Sequence, residues 1–355
     1  LLFTALSAVD DLRAARRARP MKIAVIGLGA VGTEIVGVLS AMPEVAEIVC
    51  VNRTMAKAEG EIMDLLHAAP FAGAVKPRLR VGRLPDIENS DIVVVAVGAM
   101  MPPSMVRDDS LQANHAIIRD LVPGLTRYAP EAIVLVVTNP VDVIAQLILE
   151  YTCFARQRVI SLGTLVDTAR LIHILQARTG IDAKNISAYV LGDHSETGFI
   201  AWNACTICGM ELDTFCRKNG LPLIDRAAVR QEVFDAPFSL LRKKGSSTRA
   251  IAASVCRVVR AIATDEKSIL PVGVLLEGEY GVDGLVMSVP CVIGEGGAER
   301  VLRIDLAAPA IAEFTASESH LRRTLAAART ASPSGRSSTT RWPAAAETIA
   351  SPSSP

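Results

Sequence analysis

Apolar positions fall into two rhythms along this chain. The runs KIAVIG, EIVCVN, DIVVVAVG and AIVLVVT are apolar almost without a break, as expected of parallel strands covered by helices on both faces. RVISLG is a fifth candidate strand. Longer helical patterns separate them: GAVGTEIVGVLSAM, SLQANHAIIRDLVPGLTRYA and PVDVIAQLILEYT. The alternation predicts an α/β fold, a doubly wound parallel sheet over residues 21–162. Further on, the helix LVDTARLIHILQARTG and the strand runs GLVMSVPCVIG and RVLRIDL predict a second, α+β domain over residues 163–325.

The ends break the rhythm. Residues 1–20, LLFTALSAVDDLRAARRARP, precede a Met21 that opens the first strand directly. They read as a leader, disordered or not native, although the arginines also suit the end of a transit peptide. Residues 326–355 are rich in Ser, Thr, Ala and Pro, bury too little apolar surface to offset their chain entropy, and read as a disordered tail.

Composition narrows the function classes. The 355 residues carry 37 basic and 37 acidic side chains, so no global field favours nucleic acid or a membrane surface. The apolar runs are of strand length and too short to span a bilayer. Seven scattered cysteines suit reduced thiols in a cytoplasmic protein. Cys205 and Cys208 form one CxxC without a second ligand pair, so no metal is expected.

Chemistry enters at GLGAVG, where Gly27, Gly29 and Gly32 have GxGxxG spacing between a strand and a helix. That context reads as a dinucleotide site: a tight turn at Gly27, close approach to the pyrophosphate at Gly29, and tight helix–strand packing at Gly32. Twenty residues past Gly32, in VNRT, Asn52 stands where a ribose-binding carboxylate is usual, followed by Arg53. Asn52 removes the repulsion of a 2′-phosphate and Arg53 offers it a charge-assisted bond. NADP use is therefore open beside NAD, the alternative being Asn52 on the ribose and Arg53 in solvent.

In LGTLVDTAR, Asp167 and Arg170 are three apart on a helical pattern and share a face. In YVLGDHSE, His194 leaves a strand-like run for a turn, and in MPPSMVRDDS, Arg107 lies in a Pro-rich connection at the carboxyl edge of the sheet. Singly, these are equally a helix ion pair, a surface histidine and a loop cation. With VTNPVDV and SVPCVIG, however, their order and spacing from Met21 to Leu325 resemble the L-lactate/malate dehydrogenase family, in its L-lactate dehydrogenase-like branch.

The resemblance implies a nicotinamide-dependent oxidoreductase acting on a small 2-oxo or L-2-hydroxy monocarboxylate, and a homodimer or homotetramer. His194 matches the proton donor–acceptor, Asp167 the carboxylate that orients it, and Arg107 the loop residue that polarises the reacting carbonyl. Arg170 matches the residue that forks onto the substrate carboxylate. Asn139 matches the asparagine contacting both substrate and nicotinamide, Ser247 a pocket threonine, and Gly98 joins the cofactor set. The chemistry agrees with these roles. A histidine near neutral pKa gives and recovers a proton, a guanidinium matches a carboxylate with two parallel bonds, and a cation at the oxygen stabilises developing charge.

Met101 stands where malate dehydrogenases carry Arg and lactate dehydrogenases usually Gln. An apolar side chain there leaves a second carboxylate unpaired and disfavours oxaloacetate. Pyruvate/L-lactate is the leading pair. The alternatives are a bulkier apolar acid, as in L-2-hydroxyisocaproate dehydrogenases, or malate, which MVRDDS supports and Met101 opposes.

Overall fold

The computed structural model describes residues 20–72, 77–98, 107–330 and 342, and for residues 72 and 107–110 the backbone alone. Strand β1 (Met21–Ile26) pairs in parallel with β2 (Val45–Val51) on one side and β4 (Ile92–Val95) on the other. β3 (Arg78–Gly82) extends β2, while β5 (Ile133–Val136) and β6 (Val159–Ser161) continue from β4. The resulting order β3-β2-β1-β4-β5-β6 is that of a Rossmann sheet. Ile23 to Ile26, Ile92 to Val95 and Val134 to Val136 are each fully buried, which explains the unbroken apolar runs.

β3 escapes the sequence pattern. It is an edge strand in which Arg80 bonds Glu47 at 2.6 Å and Asp86 at 2.9 Å, so polar residues occupy a half-buried face. Helices α1 (Ala30–Leu39), α2 (Met55–Ala72), α3 (Arg107–Tyr128) and α4 (Val141–Tyr151) form the connections.

The later half contains α5 (Leu165–Thr179), small sheets built from β7 (Ile186–Ser187), β8 (Val190–Leu191), β9 (Phe199–Ile200), β10 (Thr206–Ile207) and β11 (Met210–Glu211), and helices α6 (Leu212–Lys218), α7 (Arg226–Lys244) and α8 (Arg249–Ala263). The long strands β12 (Ser268–Glu277), β13 (Asp283–Gly294) and β14 (Gly297–Val301) do not form a sheet of their own. They add antiparallel to β6 through Gly273 and Ser161, making one nine-stranded sheet. RVLRIDL is strand only at its start, the strand ending at Val301.

The last helix, α9 (Ala308–Thr330), runs five residues beyond the Leu325 limit expected from sequence. Leu321, Leu325 and Ala328 are buried on one face, so the alanine-rich stretch keeps its helical packing. Trp342, assigned by its surroundings to a disordered tail, is also buried, at 9% exposure. One indole removes a large apolar area from water, which composition averages conceal. Among the described residues, no helix is long and apolar enough to cross a membrane.

Candidate active site

The dinucleotide side begins where β1 ends. Gly27 turns the chain at φ +101 and donates its N–H to Val51 O at 2.8 Å. A Cβ on Gly32, in the first turn of α1, would lie 1.9 Å from Gly27 O, so only glycine lets the helix start this close to the strand. A Cβ on Gly29 would meet nothing within 4 Å. It borders a cleft of about 550 Å³ lined by Gly27, Gly29, Asn52, Arg53, Gly98 and Asn139. The free N–H groups of a helix N-terminus suit a pyrophosphate, so the donor set fits the expected cofactor. Gly32 packs behind the cleft instead of lining it.

At the β2 end, Asn52 is already at work. Its Oδ1 accepts the Leu28 N–H at 3.2 Å and its Nδ2 donates to Thr54 O at 3.1 Å. The side chain therefore ties the glycine turn to β2, and a second lone pair and N–H remain for a ribose. Arg53 is exposed on the cleft rim, and Lys57, one turn along α2, lines the same cleft. Trp342, Ile117 and Ile251 complete its apolar wall.

The side expected from sequence to transfer the proton is built around α5. Thr164 Oγ1 donates to Val190 O at 2.5 Å, and Thr168 Oγ1 accepts the Val190 N–H at 2.9 Å. The helix thus straddles β8 four residues before His194. Leu171, Ile174 and Leu175 bury its inner face. This brings Asp167 Oδ2 to 2.6 Å from His194 Nδ1, while Asp167 Oδ1 accepts from Arg170 Nη1 at 2.5 Å. The pair is indeed an i,i+3 ion pair, but its carboxylate also holds the histidine.

An ionised carboxylate only accepts, so the Nδ1 of His194 carries a proton and Nε2 is the nitrogen left to exchange one. Burial opposes charge on His194, but the charge and hydrogen bond of Asp167 outweigh it and raise the pKa, with Asp142 adding to the effect. Burial likewise opposes ionisation of Asp167, and His194 and Arg170 reverse it, holding the carboxyl below its ordinary range. The side chains are 4% (Asp167), 13% (Arg170) and 24% (His194) exposed, so this charge cluster is poorly screened and opens to solvent mainly at the imidazole.

The sequence did not single out Asp142 or the partner of His320. Asp142, three residues after Asn139 and on α4, accepts the His194 N–H at 3.3 Å through Oδ2 and Ser161 Oγ–H at 2.7 Å through Oδ1. Burial, then the charge of Asp193, push it up to about 7. Its signal was present: a lone acid inside the apolar run PVDVIAQLIL. His320, on α9, lies 2.7 Å from Asp193. No local pattern announces a pair separated by 127 residues.

Other expectations fare differently. Arg107 opens α3 instead of lying within the preceding connection, because the helical pattern extends back to it; its side chain is outside the described residues, as is Met101. Ser247 is half-buried in the turn before α8, four residues ahead of the cleft residue Ile251. Cys205 is buried, its thiol pushed up to about 12 by burial, while Cys208 is exposed. A larger cavity of about 980 Å³ is lined by Thr168, Ile172, Lys184 and Arg257. Its walls include none of His194, Asp167 and Arg170.

Comparison with known proteins finds the chain similar to lactate and malate dehydrogenases. The family model for the lactate/malate dehydrogenase NAD binding domain matches residues 21–161, and that for the lactate/malate dehydrogenase alpha/beta C-terminal domain matches residues 164–331. An L-lactate dehydrogenase of Clostridium botulinum (strain Okra / Type B1) is 38% identical over 288 residues, covering 80% of this chain and 90% of that enzyme. A lactate dehydrogenase from a Medee basin deep-sea metagenome library superposes with a TM-score of 0.83 at 28% identity, covering 88% of this chain and 99% of that one. The malate dehydrogenase of Cryptosporidium parvum superposes with a TM-score of 0.82 at 25% identity, covering 88% and 100%.

Proposed function

From the premise that the chain belongs to the lactate/malate dehydrogenase family, we propose that His194, Asp167, Arg170, Arg107 and Asn139 interconvert pyruvate and L-lactate. The protein is an NAD-dependent 2-hydroxy acid dehydrogenase. The observation that carries the residue assignment is the single buried carboxylate of Asp167 bonded at once to His194 and Arg170.

A nicotinamide held in the cleft lined by Gly27, Gly29, Asn52 and Asn139 would supply the hydride for reduction and accept one in oxidation. Arg170 uses one edge of its guanidinium on Asp167, and its other N–H groups fork onto the substrate carboxylate. That fixes the 2-oxo group against His194. The imidazolium gives its Nε2 proton to the oxygen as the carbon is reduced, and the neutral ring recovers it from the hydroxyl in the reverse direction. Asp167 keeps Nδ1 protonated throughout and stabilises the charged ring. Arg107 adds positive charge at the reacting oxygen. Asn139 joins the two halves, since it lines the dinucleotide cleft and stands three residues before Asp142, the acceptor of the His194 N–H.

Pyruvate is favoured over oxaloacetate because Met101 offers no partner to a second carboxylate. Absorbance loss at 340 nm with NADH, run separately on pyruvate, 2-oxoisocaproate and oxaloacetate, tests this. The expected order puts pyruvate first and oxaloacetate last; oxaloacetate in front would replace lactate by malate as the product.

Arg53 and Lys57 on the cleft wall, with no carboxylate at Asn52, support tolerance of NADPH. The expected result is measurable turnover with NADPH in the unaltered protein. Asn52→Asp should cut NADPH-dependent kcat/KM by about tenfold or more through partly screened repulsion, leaving NADH-dependent turnover nearly intact. An equal loss with both cofactors would assign Asn52 only to holding the glycine turn.

A homodimer or homotetramer is supported by the family and by exposed apolar side chains of α7 such as Phe238 and Leu241. A cytoplasmic location is supported by cysteines that are all unpaired among the described residues.

A further inference from the structure

We propose that His320, on α9, is a positioning residue for the His194 imidazole and acts through Asp193. The proposal rests on the reading of His194 as the proton donor–acceptor.

Two residues one turn apart on α9 grip the residue that precedes His194. Ser317, fully buried, accepts the Asp193 N–H at 2.7 Å, and His320 Nδ1 meets Asp193 Oδ2 at 2.7 Å. The same Oδ2 accepts Ser195 Oγ–H at 2.6 Å and Thr197 Oγ1–H at 3.3 Å. Asp193 thereby braces the chain on both sides of His194, and among the described residues His320 is the one partner of its carboxylate contributed by a distant element. On the opposite side, the His194 N–H is held by Asp142. The catalytic turn is thus clamped between α4 and α9.

His320 also has an electrostatic task. The Asp193 side chain is 8% exposed, and its charge acts on Asp142, which itself contacts the His194 backbone. Without His320 the Asp193 carboxylate keeps the hydroxyls of Ser195 and Thr197 but loses its ring N–H donor, and the under-bonded buried charge would seek another donor, pulling residues 193–195 out of register. The hydrogen bond to Asp193 is in turn the main cause that raises the pKa of His320. His320 is 32% exposed at the side chain and does not line the dinucleotide cleft, so its removal should leave cofactor binding alone.

The test compares His320→Ala with His320→Asn in the full chain, at saturating NADH with pyruvate varied. The asparagine amide nitrogen sits close to the place of Nδ1 and keeps a neutral donor to Asp193. His320→Ala is expected to lower kcat about tenfold, as small misplacements of a reacting group do, with the NADH dissociation constant unchanged. The solvent deuterium isotope effect on kcat should rise, because proton transfer from a displaced imidazole becomes more limiting. His320→Asn should recover most of the rate and the smaller isotope effect.

Alanine and asparagine variants that are equally slow, or an alanine variant within twofold of the parent, would overturn the proposal. If the alanine variant does not fold, His320→Ser, too short to reach Asp193, takes its place. Failure of the underlying reading is seen separately, as retained turnover in a His194 variant.

Discussion

Replacing His194 by glutamine is expected to lower kcat for pyruvate reduction by about 10³-fold, within the range lost with a positioned general acid. Glutamine still reaches Asp167 with an amide N–H but has no proton to transfer at neutral pH. The dinucleotide cleft does not include His194, so NADH binding, followed by its fluorescence, should change by less than twofold. A variant retaining a tenth of the parental rate would remove His194 from the chemistry.

The same residue is expected to set the pH dependence. Reduction needs the imidazolium, and Asp167 holds the His194 pKa above its ordinary value. The kcat/KM for pyruvate should therefore be flat on the acid side and fall as pH rises through that raised pKa. Lactate oxidation needs the neutral ring and should rise across the same interval. Asp167→Asn removes the main opposing charge, so both limbs should move to lower pH. Limbs that stay in place would mean that another group is being titrated.

Arg170→Lys is expected to reduce kcat/KM for pyruvate by about 10²- to 10³-fold, chiefly through KM. Lysine keeps the positive charge beside Asp167 but loses the planar fork that meets a carboxylate with two bonds. Leaving a desolvated substrate carboxylate badly paired costs about 3–4 kcal/mol, which corresponds to that factor. Because the charge is retained, the pH limbs assigned to His194 should move little. An unchanged KM for pyruvate, measured at saturating NADH, would show that the substrate carboxylate is held elsewhere and Arg170 serves Asp167 alone.

What could be read from sequence follows from where each residue finds its partners. β1, β2, β4 and β5 were legible because both faces are buried, which writes an unbroken apolar run. β3 was not, since Arg80 pairs with Glu47 and Asp86 and the apolar pattern is lost at an edge. β13 was legible as a strand, but its sheet was not, because the junction depends on one register contact between Gly273 and Ser161. At the site, Asp167 and Arg170 lie on one helical turn, and the motif around His194 is local. Asp142 and His320 acquire their meaning only from residues brought in by folding. Trp342 was hidden for the opposite reason: a polar neighbourhood in sequence masked an indole that is buried in the structure.

The continuous nine-stranded sheet limits what this architecture does as a machine and as a product of descent. Two named domains, an NAD binding domain and an alpha/beta C-terminal domain, suggest separable modules, yet β6 is hydrogen-bonded to β12. A Cβ on Gly273 would stand 2.2 Å from Asp142 Oδ1 and 2.7 Å from the Ser161 Cβ, so the seam also packs directly against the group that holds the His194 N–H. Cutting the chain near residue 162 would expose a sticky strand edge on each fragment. Neither half is therefore exchangeable as a cassette. Changes of substrate in such a chain must come from short segments around the seam, not from swapping one half for another.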